Sequence, residues 1–261
     1  MNRRSHFSLI ALAACAALSL HAAPLGPLHT NCTIGPSKDP GKFSLRIDSG
    51  ECNGERHCGN NFSDESFSRF TGFSLADLSH DGAQLTATLA AEAGTFTCTG
   101  TVHDRVLSGS STFTPDQAFV ERMATMGFTG YDSEKLQAYA FLNVQSAFAR
   151  SLLDAKIRDI TIDNLIALRI FNIDPAYALG IAALGFELPD ANKLIELKVQ
   201  GVNAAEVREI RAMGYQPTLD ELVQIRIFHI TPDFIHRMQD RGLKDLTISK
   251  LVQIRIFKLD E

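Results

Sequence analysis

Two rhythms of apolar and polar residues divide the chain. From residue 24 to about 113 the rhythm is short. Phe43, Leu45 and Ile47 alternate with polar neighbours, and Leu85, Ala87 and Leu89 alternate with Thr86 and Thr88. The clearest run is 95–102, with Phe96, Cys98, Gly100 and Val102 on one face and Thr95, Thr97, Thr99 and Thr101 on the other. A period of two with threonine outward predicts half-buried strands. Ala93-Gly94 is a turn signal before that strand, and Asp104-Arg105 turns the chain into another over 106–113. Residues 50–61, rich in Gly, Asn and Cys, predict a loop. Residues 62–78 carry several Phe without a period and predict no element.

From about 116 a longer period takes over. Segments 116–144, 145–173, 174–202, 203–230 and 231–259 follow one another; four have 29 residues and one has 28. The phrase Leu-Val-Gln-Ile-Arg-Ile-Phe stands at both 222–228 and 251–257, with 165–171 close to it. A period in this range marks stacked supersecondary units. Segments open on the helix-capping residues Asp116, Asp174, Asn203 and Thr231, with the weaker Gln145 in the second. Pro175 and Pro232 follow at the first helical position, where a missing N–H costs nothing. An aromatic column runs Phe119, Phe148, Tyr177 and Phe234, with Glu206 in the fourth segment. Four residues later stand Met123, Leu152, Ile181, Ile210 and Met238. The first helix of a segment ends at Gly127, Gly185, Gly214 or Gly242, each followed by an apolar residue, the signature of a left-handed C-cap. Lys156 replaces that Gly in the second segment, at a cost of about 1 kcal/mol if the backbone is the same.

Second helices start at Asp132, Thr161, Asp190, Thr218 and Thr247, carry Leu136, Leu165, Leu194, Leu222 and Leu251, and end near Asn143, Asn172, Gly201, His229 and Lys258. Thr218 with Glu221, and Asn203 with Glu206, fit capping boxes. The Ile-Arg-Ile-Phe runs also alternate as a strand would, but regular caps on both sides favour helix. Helices this short are marginal alone and must pack on their neighbours. The expected fold class is α+β: a small disulfide-bonded β domain over 24–113, then an α-helical repeat stack over 114–261 with two short helices per unit.

The first residues change the compartment. Arg3 and Arg4 precede an apolar run over 7–20, and small residues Ala22 and Ala23 precede Pro24. This predicts a signal peptide over 1–23 and a periplasmic or secreted protein with no membrane span after cleavage. A lipoprotein signal is the alternative, because Leu12-Ala13-Ala14-Cys15 matches a lipobox; the apolar stretch 16–20, where a polar tether would follow, favours simple cleavage. The other four cysteines, Cys32, Cys52, Cys58 and Cys98, all lie in the first hundred residues. An even number in an exported chain predicts disulfides, with Cys32–Cys98 and Cys52–Cys58 the preferred pairing. A metal site using His57 beside Cys58 is the competing idea, without a Cys-x-x-Cys pair to support it.

Net charge of −5 disfavours nucleic acid as a partner. The chain has no zinc-peptidase, nucleophile-elbow, P-loop or dinucleotide motif, so no cofactor or metal is expected. Residues 108–111, Ser-Gly-Ser-Ser, read as a turn or an edge strand. The one repeated charge is Arg169, Lys198, Arg226 and Arg255, with Ala140 in the same column of the first segment. These four are the candidate binding residues, for an acidic peptide or an anionic polymer. The structural alternative is a cation near a helix C-terminus, favoured by about 0.3–1 kcal/mol.

The phrase Thr231-Pro232-x-Phe234-Ile235, then Met238 and Gly242-Leu243, then Leu251-Val252-x-Ile254-Arg255, resembles repeats of secreted or periplasmic bacterial proteins. It is similar to the repeat region after the membrane domain in some relatives of the β-lactam-sensing metallopeptidase receptors. The stretch from Ala93-Gly94-Thr95-Phe96 through 108–115 resembles the β segment before those repeats. The resemblance covers the chain from Ala93 onward and implies the architecture. The peptidase motif and membrane helices are missing, so no peptidase activity carries over. The expectation is an exported, non-enzymatic interaction module that binds a protein or peptide in the cell envelope. The alternatives are an envelope hydrolase with a site around His57, Ser63, Asp64 or His80, and a polymer-binding adaptor using the basic column.

Overall fold

The computed structural model describes residues 25–48, 59–243 and 246–259. It is an α+β fold. The described residues hold six strands: β1 (Leu28–Pro36), β2 (Lys42–Asp48), β3 (Gly59–Ser66), β4 (Gln84–Ala91), β5 (Gly94–His103) and β6 (Val106–Pro115). They form one antiparallel sheet in the order β3-β2-β1-β6-β5-β4. Asp104 and Arg105, both at positive φ, make the tight β5–β6 turn. The alternation read in the sequence places Phe96, Cys98 and Val102 inward and fully buried. The threonine face of β5 looks outward, where Thr86 and Thr99 share a hydroxyl hydrogen bond of 3.0 Å.

The sheet is curled, and glycine lets it curl. Cys32 of β1 and Cys98 of β5 form the expected disulfide although β6 runs between them. Their Cα atoms are 6.1 Å apart, whereas two flat strand spacings would put them about 9.6 Å apart. Gly109 lies opposite both Cys32 and Gly100. A Cβ on Gly109 would come within 2.6 Å of the Gly100 Cα. Residues 108–111 are therefore interior strand, not the turn or edge expected. Their Ser111 is buried, with a 2.6 Å hydroxyl hydrogen bond to Thr30. The loop expected over 50–61 is corrected at its end, since Gly59–Asn61 begin β3. The stretch over 62–78 continues β3 and then makes two short 3-10 turns, Phe67–Arg69 and Asp77–Ser79. Its Phe70 and Phe73 pack edge-on against Phe43 at 5.0 and 5.3 Å. The Cys52–Cys58 pair and His57 lie outside the described residues.

Ten helices follow among the described residues: α1 (Gln117–Ala124), α2 (Ser133–Leu142), α3 (Ser146–Asp154), α4 (Ile162–Ile170), α5 (Pro175–Ala182), α6 (Ala191–Val199), α7 (Ala204–Ala212), α8 (Leu219–Ile227), α9 (Pro232–Asp240) and α10 (Ile248–Ile256). The alternating Ile-Arg-Ile-Phe runs are helical, in α8 and α10. Every expected N-cap except Gln145 accepts a backbone N–H with its side chain. Thr218 and Glu221 make the expected capping box, while Asn203 and Glu206 make only its first half. Thr161 with Asn164 is a box the sequence reading overlooked, because Asn rather than Glu supplies the return bond. Gly127, Gly185, Gly214 and Gly242 have positive φ, and Lys156 takes the same left-handed turn at φ 63.

Even-numbered helices pack in succession, α2 on α4, α4 on α6, α6 on α8 and α8 on α10, and α2 also rests on β4, β5 and β6. Their leucines, Leu136 through Leu251, are buried. One core runs from Cys32 of the sheet to Leu194 of α6, so the sheet and the first helices share their interior. A second cluster runs from Ile181 to Ile254.

A candidate interaction face on the even helices

The basic column turns back onto helix ends. Arg169 Nε donates to the Leu142 carbonyl at 3.2 Å, Arg226 Nε to Gln200 at 2.9 Å, and Arg255 Nη2 to His229 at 3.2 Å. Each acceptor closes the preceding even helix. These carbonyls have no partner within their own helix, and a guanidinium both satisfies them and opposes the dipole. The same cations meet the aromatic column. Arg169 lies 5.9 Å from the Phe148 ring, Lys198 4.5 Å from Tyr177 and Arg255 4.0 Å from Phe234. In the fourth segment, where Glu206 replaces the aromatic ring, Arg226 pairs with its carboxylate at 3.4 Å. The two columns thus meet as cation over ring or cation beside carboxylate. The arrangement has the geometry of the helix-end reading of Arg169, Arg226 and Arg255, and Lys198 stands apart from it.

Ala140 breaks the column in α2, and the sheet side fills the gap. Arg69, after β3, donates to the carbonyls of Phe141 at 2.5 Å and Ala140 at 2.9 Å. A second graft repairs the weak cap at Gln145. Glu92, in the β4–β5 turn, accepts the Ser146 backbone N–H at 2.8 Å and the Ser146 hydroxyl, and pairs with Arg122 at 3.2 Å. Further links join successive even helices. Lys135 of α2 pairs with Asp163 of α4, and Lys193 of α6 with Asp220 of α8. Hydrogen bonds to Asp220 and Glu196 hold the Lys193 ammonium above its usual range.

Directly after each basic position comes an apolar one, in the order Phe141, Ile170, Val199, Ile227 and Ile256. Phe141 of α2 is 1% exposed, stacked on Phe62 of β3 at 4.4 Å and edge-on to Phe96 of β5 at 5.0 Å. The next four are 51%, 50%, 48% and 52% exposed. Isolated exposed apolar residues are ordinary, but four at one position of successive, mutually packed helices form a ridge. Sequence reading missed this face because Ile, Val and Phe in a helix read as core. The usable signal was that each follows a charged residue while the leucines already fill the inner face.

Of the residues considered for hydrolysis, His57 lies outside the described residues. Ser63 and Asp64 fall on β3, and His80 is exposed with Nδ1 3.0 Å from the Ala76 carbonyl oxygen. Among the described residues no group of three or more His, Cys, Asp or Glu is placed to hold a metal, and no single helix is long and apolar enough to cross a membrane. Comparison with known proteins finds no matching family model, no similar curated protein and no similar solved structure.

Proposed function

We propose that this protein is an exported, non-catalytic interaction module whose helices form a stack of repeated two-helix units. The ridge Ile170, Val199, Ile227 and Ile256 docks an extended, apolar polypeptide segment of a partner in the cell envelope. One observation carries the reading: the same helix position is covered by the chain's own strands in α2 and half-exposed in the four even helices after it. The sheet supplies the precedent for the occupant, since β3 and β5 present aromatic side chains to Phe141. Helices pack about 8–10 Å apart, so the ridge spans roughly 30 Å, the length of about nine extended residues. Covering the exposed half of each ridge side chain contributes on the order of 1 kcal/mol. Export is supported by Arg3, Arg4 and the apolar run over 7–20, and the Cys32–Cys98 disulfide suits an oxidising compartment.

The test is site-resolved photo-crosslinking in the native envelope. A photoreactive residue at Ile170 or Ile227 should trap one partner, at a band that Val199→Lys abolishes. The same residue at Leu179 or Leu243, exposed on or just after odd helices, should not. Equal trapping at all four positions would remove the ridge from the account.

A further inference from the structure

A cleft of about 400 Å³ opens where α5, α6 and the start of α7 meet. The third segment departs from the other four at the residues that border it. Gly180 stands where they carry Arg122, Ser151, Glu209 and Arg237, and Gly201 where they carry Asn143, Asn172, His229 and Lys258. A Cβ on Gly180 would meet nothing within 4 Å, so the missing side chain leaves open volume. The walls are Tyr177 and Ile181. Burial pushes the Tyr177 phenol up to about 12, so that wall is neutral at ordinary pH.

The cation is also different. Arg169, Arg226 and Arg255 each donate to a helix-end carbonyl. Lys198, the one lysine of the column, has no such bond and no carboxylate partner among the described residues; its ammonium rests over the Tyr177 ring. Glu206 on α7 is engaged by Arg226. The Arg226 guanidinium lies against Gly201, 3.1 Å from where a Cβ on that glycine would stand, so Lys198 is the cation at the cleft that is not already held by a carboxylate. An apolar cleft with a few placed polar groups is how small-molecule sites obtain orientation and selectivity.

We propose that this cleft binds a carboxylate carried on a short apolar stem. The carboxylate accepts charge-assisted hydrogen bonds from Lys198, and the stem lies on Tyr177 and Ile181 in the space that Gly180 leaves. A free aryl or acyl acid and the C-terminal carboxylate of a peptide present this chemistry alike. The site stands independently of the ridge.

The experiment titrates the isotopically labelled full chain, followed by amide chemical shifts, with three probes: 4-phenylbutyrate, its neutral amide, and the peptide acetyl-Gly-Gly-Phe. Saturable shifts at Gly180, Gly201 and Ala204 are expected with the acids, and binding at least about tenfold weaker with the amide. Lys198→Met and Gly180→Leu should each abolish the shifts, and Ile227→Lys should leave them unchanged. Gly180→Leu removes a glycine from a helix interior, so it fills the cleft without a folding penalty. Tighter binding of the peptide would mark a polypeptide terminus as the natural source, and tighter binding of the free acid a small metabolite. Equal binding of acid and amide, no saturation in the millimolar range, or persistence in Lys198→Met would overturn the proposal.

Discussion

Replacing Glu92 by Ala should destabilise the whole protein although Glu92 is a turn residue in the sheet. Helix α3 follows the cap position Gln145, whose side chain caps nothing, and the Glu92 carboxylate takes the cap's place by binding Ser146 from 54 residues away. Losing a side-chain N-cap costs about 1 kcal/mol. Hydrogen bonds to a charged group reach about 1.5–3 kcal/mol, and the carboxylate also serves the Ser146 hydroxyl. The Arg122 pair adds little, since both partners keep solvent contact at 48% and 26% exposure. The expected loss for Glu92→Ala is therefore about 2–3 kcal/mol, read from urea unfolding at constant slope. Arg122→Ala should cost under about 0.5 kcal/mol. Gln145→Asp, placed in the Glu92→Ala chain, should restore about 1 kcal/mol by providing a local cap. A loss under about 0.5 kcal/mol for Glu92→Ala, or no recovery with Gln145→Asp, would refute the grafted cap.

Lys156→Gly should stabilise by about 1 kcal/mol in the same assay, because Lys156 sits at φ 63 where the other first helices use Gly; a loss would mean its side chain supports the turn. Opening Cys32–Cys98, which closes a sequence separation of 66, should cost about 4 kcal/mol by chain entropy, read as the unfolding shift of Cys32→Ser/Cys98→Ser. Stability should fall as pH rises from about 10 through 12. Burial lifts Tyr131 and Tyr177 from 10.0 to about 12, so the fold holds protons that the unfolded chain has released. A flat profile over that interval, with normal phenolate absorbance, would contradict this.

What the sequence made legible was local. A cap acts on an amide three residues away, and a strand alternates with its immediate neighbours, so nine of the ten helix starts and the β5 alternation could be read directly. The rest depends on distant pairs. Arg69 reaches Phe141 across 72 residues, and no periodicity announces it. Strand β3 was missed because its residues lack alternation, and its place is set by pairing with β2. The basic column was visible as a charge pattern, but its two readings differ only in whether a carbonyl lies within reach, as it does at Leu142, Gln200 and His229. The ridge and the cleft both come from comparing equivalent positions once burial is known. Phe141 and Ile227 are the same kind of residue in the same column, and only the presence or absence of strands above them separates core from surface.

The most direct test of the ridge is a chain carrying Ile170→Ser, Val199→Ser, Ile227→Ser and Ile256→Ser together, with unfolding and partner capture measured side by side. These side chains are half-exposed, so each Ser should forfeit only the worth of its buried half, about 1 kcal/mol per site. The photo-crosslinked partner band should disappear. A loss above about 2 kcal/mol per site would show that the four residues are core, and a partner band of undiminished intensity would show that binding lies elsewhere.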